Sequence, residues 1–299
     1  MKATVIGLGH MGWGAAVSLL RAGIETTGCD LVEETLERFR DRGGNAFPTP
    51  AEAVPGSKVV LVFVLNAQQA KSVLFGSRGA VSAADLGTVF LLNATMSPAE
   101  VETIAADLTA AGMAVIDAPV TGGAARAESG ELTVLASGPD AAFDKAAPAL
   151  DAIAARIFRL GSKPGTAARM KMVNQLLAGA HVAAMAEALV LAMREGLEPA
   201  QVIEVIGESS GASEMFRSRA PQVAEGDYTP ITPVDVLAKD LGIAKEAAGY
   251  EMPLTEAALA LLSEAQDAGF GSMADAAVAR IIARRAGVTL PGESRDTDG

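Results

Sequence analysis

The sequence predicts an α/β fold: a doubly wound, mostly parallel sheet followed by an all-helical domain. Three observations carry that prediction. Short β runs alternate with helical segments through the first half of the chain, the pattern of repeated β-α-β units. Two of the runs, 58–65 (K-V-V-L-V-F-V-L) and 88–93, are almost wholly apolar, as strands buried on both faces must be. After residue 160 the β runs stop and a long helical pattern begins. At ~150 residues per domain, 299 residues make two domains. They are placed at 1–162 and 163–290, and the polar segment 291–299 is expected to be a disordered tail.

The elements follow in order. Residues 4–6 form a β run that ends in glycines, and 11–21 has helical character. A second strand at 25–30 and a second helix at 33–42 follow, then the two apolar strands. Ser97 as cap and Pro98 at the first helical position open a helix over 98–111. Further strands are expected at 113–116 and 132–137. A turn at 161–165, containing Pro164, leads into a helix over 166–195 that Gly196 ends. At 1.5 Å per residue that helix is ~45 Å long. Residues 199–286 read as four or five shorter helices.

Composition narrows the function. Half the residues are hydrophobic and a fifth are charged, which excludes a largely disordered chain. A net charge of -12 is the wrong sign for a nucleic acid partner. The single cysteine, Cys29, excludes an internal disulfide framework and fits a reducing cytoplasm. With two histidines, no His/Cys metal site is expected. The apolar run after Lys2 is broken by Gly7, Gly9, His10, Gly12 and Gly14, so it is not read as a signal peptide. The apolar stretch 176–193 contains His181 and Glu187, and is read as a buried helix rather than a membrane span.

Four segments carry chemistry. Gly7-Leu8-Gly9-His10-Met11-Gly12 is a G-x-G-x-x-G between a strand and a helix, and Asp30 stands eighteen residues beyond Gly12 at the end of the next strand. This is the Rossmann-type fingerprint for a dinucleotide. Gly7 makes the turn, Gly9 lets a pyrophosphate reach the backbone, and Gly12 lets helix and strand pack. The pyrophosphate sits on the helix N-terminus. The Asp30 carboxylate accepts from the ribose hydroxyls and repels a 2′-phosphate, which favours NAD over NADP. In Asp117-Ala118-Pro119-Val120-Thr121-Gly122-Gly123, a hydroxyl and several N–H groups fall within a small space that suits a carboxylate; an ordinary turn reads the same segment equally well. Lys171, Asn174 and Gln175 lie at i, i+3 and i+4 of the long helix and share a face. Such a lysine is either snorkelling or catalytic. Asp235 and Lys239, also four apart, read first as a solvated helix pair.

Taken together, V-I-G-L-G-H-M-G, D-A-P-V-T-G-G, G-T-A-A-R-M-K-M-V-N-Q and K-D-L-G-I-A resemble the β-hydroxyacid dehydrogenase family over nearly the whole chain. The resemblance implies that Lys171 is the catalytic residue and Asn174 its neighbour at the substrate. It implies that Thr121, Gly122, Gly123 and Gln175 bind the substrate. Residues 7–12, Asp30, Leu65, Asn66, Thr95 and Lys239 then serve the cofactor, NAD. The chain departs from the family pattern at Thr121, often serine, at Gln175, usually a second asparagine, and at Asn66, often proline. The segments V-L-N-A-Q-Q, N-Q-L-L-A-G-A-H and G-D-Y-T-P resemble the branch that oxidises four-carbon sugar acids such as L-threonate, although that branch often has histidine at the position of Asn174. Reduction of tartronate semialdehyde and oxidation of 3-hydroxyisobutyrate are the alternatives within the family. A non-catalytic dinucleotide-binding scaffold is the alternative outside it, and the presence of Lys171 speaks against that. His10 is read as offering its backbone, and His181 as a core or interface residue. The long helix leaves apolar faces for a second subunit, so a homodimer or homotetramer is expected.

Overall fold

A computed structural model describes residues 1–293. The chain divides into two compact units, Met1–Lys171 and Met172–Gly299. The division falls inside the long helix, nine residues past the boundary at 162 expected from sequence.

The first unit runs β1 (Lys2–Ile6), α1 (His10–Arg21), β2 (Glu25–Cys29), α2 (Glu33–Asp41), β3 (Asn45–Phe47), α3 (Pro50–Ala53), β4 (Val59–Val62), α4 (Ala67–Phe75), β5 (Val89–Leu92), α5 (Pro98–Ala110) and β6 (Ala114–Asp117). It continues through β7 (Val120–Thr121), α6 (Gly123–Ser129), β8 (Leu132–Ser137), α7 (Asp140–Ile153), β9 (Ala154–Gly161) and the start of α8 (Thr166–Arg194). The sheet order is β3-β2-β1-β4-β5-β6-β8-β7, with β9 paired to β8. Strands β1 to β6 are parallel, and β8 is antiparallel to β6 and β7. The strand order reverses between β1 and β4, and in such sheets the crevice at the carboxyl ends of those strands takes the ligand.

Alternation along the strands fills both faces. Val5, Leu61 and Leu91 join α1, α2 and α7 in one core through Leu19, Phe39 and Phe143. Ile6, Val60, Val62, Phe90 and Leu92 join α4 and α5 in the other through Leu74, Ile104 and Leu108. The run Lys2–Leu20, with its superficial likeness to a leader, is the central strand and first helix of this unit. Strand β9 is an edge of the sheet, and its arginines lie over aromatic rings: Arg156 Cζ is 5.0 Å from the Phe158 ring and Arg159 Cζ is 4.2 Å from that of Phe143.

Several elements were not anticipated. Strands β3 and β7 have three and two residues, too few to show a period. Helix α7 is alanine-rich, contains Pro148, and runs into β9 with no intervening turn residue. The strand expected over 58–65 is only Val59–Val62; Phe63 to Leu65 leave the sheet toward α4.

The second unit takes the rest of α8 with α9 (Pro199–Gly207), α10 (Glu214–Glu225), α11 (Val234–Ala248), α12 (Pro253–Asp267) and α13 (Val278–Ala286). Val182, Met185 and Leu189 of α8 meet Phe216, Leu241 and Leu262 in its core. Gly179 is required there: a Cβ would lie 2.3 Å from Leu241 Cδ1. By length and apolarity α8 could cross a membrane; 39% of its most apolar window is buried within the protein, so it is only partly the buried helix expected from sequence. Its uncovered side carries an apolar stripe at Met170, Val173, Leu177 and Leu191, each about half exposed. Of the tail, Pro291 to Glu293 are placed: Leu290 is buried beside them and Glu293 pairs with Arg280. Residues 294–299, the remainder of the expected tail, lie outside the described residues.

One buried ion pair ties this unit together. Arg219 Nε donates to Asp275 Oδ1 at 2.7 Å and Nη2 to Oδ2 at 3.3 Å, with Thr232 Oγ1 3.2 Å from Nη2. Both side chains are almost wholly buried. Removing one partner strands the other charge in a poorly solvating interior. Arg219→Met is therefore expected to lower stability by about 3–5 kcal/mol in urea denaturation, whereas Arg219→Met combined with Asp275→Leu recovers most of the loss.

Candidate active site

At the end of β1 the chain makes its turn at Gly7, with φ +90°. A Cβ there would lie 2.1 Å from the Phe63 carbonyl oxygen, so only glycine lets the turn pass β4. Gly12 is bound as tightly: its Cβ would lie 1.8 Å from the Gly7 carbonyl oxygen. Gly9 is different. It caps α1 with ordinary extended dihedrals, no side chain caps the helix, and nothing lies within 4 Å of where a Cβ would project. Two glycines are thus demanded by packing, and the third keeps open the space over unpaired N–H groups of a twelve-residue helix.

Around this turn Leu8 is buried in the core and can offer a ligand only its backbone, while Met11 packs against the core and stays partly exposed. His10 is exposed at the first position of α1. Asp30, one residue past β2, accepts the Leu8 N–H at 2.7 Å through Oδ2 and the Val32 N–H at 3.0 Å through Oδ1. Each oxygen keeps a second lone pair for a ligand hydroxyl. An open helix N-terminus and a fixed carboxylate at the reversal in strand order are features that fit a nicotinamide dinucleotide. Beside Asp30, burial pushes the Cys29 thiol up to about 12, helped by the charges of Asp30 and Glu52, so it is not a nucleophile at neutral pH.

Beyond β4, Leu65 is exposed and its N–H donates to Gln69 Oε1 at 3.0 Å. Asn66 caps α4 by accepting the Gln69 N–H at 2.9 Å. Thr95 is half-buried between β5 and α5. At β7, Thr121 leads into Gly122 and Gly123, with φ of +132° and +78°, and α6 starts there. Two successive positive φ values turn the backbone sharply, a conformation in which glycine carries no strain.

Asp117, in the same motif, has a role that sequence reading missed. Its Oδ2 accepts the N–H of Gly165 at 2.8 Å and of Ala168 at 2.9 Å, and Ser137 Oγ lies 3.3 Å away. Ser137 Oγ in turn accepts the Ala167 N–H at 3.0 Å. Burial raises the Asp117 carboxyl above its usual range, and these hydrogen bonds pull it back. Together the two side chains cap the N-terminus of α8.

Helix α8 then carries Lys171, 7% exposed, with Asn174 and Gln175 three and four residues on. Gln175 is buried in a polar chain within the second unit. Asn174 Nδ2 donates to Gln175 Oε1 at 2.9 Å, and Gln175 Nε2 donates to Asp240 Oδ2 at 2.6 Å. Lys239 Nζ lies 2.8 Å from Asp240 Oδ1. Asp235, four residues before Lys239, accepts from Gln266 Nε2 at 2.7 Å. His181 is exposed on α8. Asp240, which joins Gln175 to Lys239, was not singled out from sequence. Its position next to Lys239 was the only signal. Among the described residues no group of three or more His, Cys, Asp or Glu could hold a metal ion.

The chain is similar to known dehydrogenases over nearly its whole length. Residues 2–161 match the family described as the NAD binding domain of 6-phosphogluconate dehydrogenase, and 165–282 the one described as NAD-binding of NADP-dependent 3-hydroxyisobutyrate dehydrogenase. The chain is 45% identical to an L-threonate dehydrogenase of Cupriavidus necator, covering 97% of this chain and 98% of that one. It is 40% identical to one of Escherichia coli over 96% of each. A crystal structure of a 3-hydroxyisobutyrate dehydrogenase from Salmonella typhimurium superposes with a TM-score of 0.90 at 39% identity, covering 94% of this chain and 99% of that one.

The unequal glycines give a test. Gly9→Ala is expected to leave the melting temperature within a few degrees of the parent and to weaken dinucleotide binding at least tenfold in fluorescence titration, because its methyl group enters open space. Gly12→Ala is expected to lower the melting temperature as well, because its methyl group meets the Gly7 carbonyl.

Proposed function

The chain belongs to the β-hydroxyacid dehydrogenase family, and we propose that it oxidises L-threonate, or a close four-carbon sugar acid, with Lys171 as the proton-transfer group. The observation that carries this reading is the placement of Lys171. A lysine with only 7% of its surface exposed is uncommon, and two amide side chains follow it at helical spacing on the same helix. The L-threonate dehydrogenases at 40–45% identity support the choice of substrate.

The substrate carboxylate is taken by the Thr121 hydroxyl and the N–H groups of Gly122 and Gly123. Lys171, as a neutral amine, accepts the hydroxyl proton as the alcohol is oxidised, and as an ammonium it returns that proton in the reverse direction. Asn174 orients the hydroxyl or the amine. When bound, the nicotinamide supplies the hydride acceptor. Leu65, Asn66, Thr95 and Lys239 are assigned to the dinucleotide on the family resemblance. NAD is preferred to NADP because Asp30 already accepts two N–H groups and would oppose a 2′-phosphate. The 3-hydroxyisobutyrate dehydrogenase likeness favours a second substrate, 3-hydroxyisobutyrate, which lacks the extra hydroxyls. The lone, unreactive Cys29 suits a reducing cytoplasm.

Steady-state kinetics with L-threonate, D-threonate, glycerate and 3-hydroxyisobutyrate, each with NAD and NADP, tests the reading. The expected result is the highest kcat/KM for L-threonate with NAD. In Lys171→Ala kcat should fall roughly 10²–10⁴-fold with dinucleotide affinity nearly unchanged. Near-normal turnover in that variant removes Lys171 from the mechanism, and faster oxidation of 3-hydroxyisobutyrate than of every polyol acid removes L-threonate.

The protein also self-associates in this proposal, as a homodimer or homotetramer that covers the apolar stripe on α8. Light scattering should give a mass at least twice the 30.4 kDa of one chain, and Leu177→Glu should shift it toward the monomer.

A further inference from the structure

Asp240 is 2% exposed, Gln175 is 9% exposed, and Asn174 stands at the exposed end of the chain they form. An ionised carboxylate only accepts hydrogen bonds, at both oxygens. Gln175 meets Asp240 Oδ2 at 2.6 Å, so it must present Nε2 there and turn Oε1 the other way. Oε1 is itself only an acceptor. The group facing it at 2.9 Å must therefore be Asn174 Nδ2, which turns Asn174 Oδ1 away from Gln175. The other oxygen of Asp240 faces the Lys239 ammonium at 2.8 Å.

An amide oxygen and an amide NH2 have nearly the same shape, so packing alone sets their sense weakly. We propose that Asp240 is a positioning residue that fixes the direction of both amides, so that Asn174 presents its carbonyl oxygen and takes a hydrogen-bond donor. A ligand group that meets this oxygen is then a hydroxyl rather than a carbonyl or carboxylate oxygen. This rests on the hydroxy-acid reading above and deepens it: the substrate class is an acid that brings an O–H to Asn174. It also gives Gln175 an indirect role, holding Asn174 through an amide consumed at both ends. Replacing Asp240 by an amide removes the compulsion, because asparagine can donate or accept.

A mutant cycle with a spectroscopic readout tests this. Asp240→Asn and Gln175→Leu are each expected to lower kcat/KM for the preferred hydroxy acid roughly tenfold. If both act through Asn174, the double variant falls roughly tenfold and not a hundredfold. Side-chain amide signals in ¹H–¹⁵N spectra of the whole protein supply the second measurement. In the wild type the Gln175 amide protons should lie at low field, and in Asp240→Asn the signals of both Gln175 and Asn174 should move. Multiplying effects in the double variant overturn the proposal, since Asp240 then acts through Lys239 or the fold. Wild-type Gln175 protons at unbonded shifts, or Asn174 signals that stay put in Asp240→Asn, overturn it too. A wild type that oxidises no hydroxy acid defeats the functional reading, while the spectra still decide the direction of the chain.

Discussion

Helix α8 begins at a carboxylate. The first turn of any helix leaves N–H groups without partners, and inside a protein these must be satisfied. Here Asp117, at the end of β6, takes two of them and Ser137, at the end of β8, takes a third. Two strand ends therefore fix where the helix starts. Because a helix is stiff, fixing its start also fixes the height and rotation of Lys171, a turn and a half further on within the same unit. The carboxylate sits where the positive end of the helix dipole favours a negative charge. Burial works against that charge, and the converging donors are what make a buried acid tolerable there.

The same logic recurs in the second unit with a different outcome. Arg219 and Asp275 satisfy one another almost completely, two bonds across a planar pair, and the pair is structural. Asp240 shares its oxygens between an amide and an ammonium on groups that lead outward. Both acids are buried to a similar degree, so burial does not separate a tie from a site. What separates them is whether the partners end in the core or continue toward an exposed side chain.

How much of this could be read beforehand follows from sequence distance. The glycine turn and Asp30 were legible because turn, helix and acid lie within one β-α-β unit, and the residue spacing itself encodes the geometry. The long helix was legible from its uninterrupted pattern. The Asp117 clamp was not, since its partners lie 48 and 51 residues away, nor was the Gln175–Asp240 bond across 65 residues. Local patterns say nothing about such pairings. Asn66 was noted as a departure from proline, but its capping of α4 needed the helix, which the sequence reading had not placed. Strand β9 was hidden for another reason: its residues, A-A-R-I-F-R-L-G, do not alternate apolar with polar, and its pairing with β8 shifts register twice.

That edge strand has a consequence for how copies of the chain can meet. An eight-residue strand with a free side offers a row of unpaired backbone groups to any other strand. Two copies joined edge to edge along β9 would run antiparallel about a twofold axis, with Arg156 and Arg159 of one chain close to the same residues of the other. Arg156 lies over the Phe158 ring, and Arg159 over that of Phe143 with Asp140 4.0 Å away. Like charges would then stand across the new ladder, where they destabilise pairing. The charged side chains along this edge thus work against growth into a larger sheet.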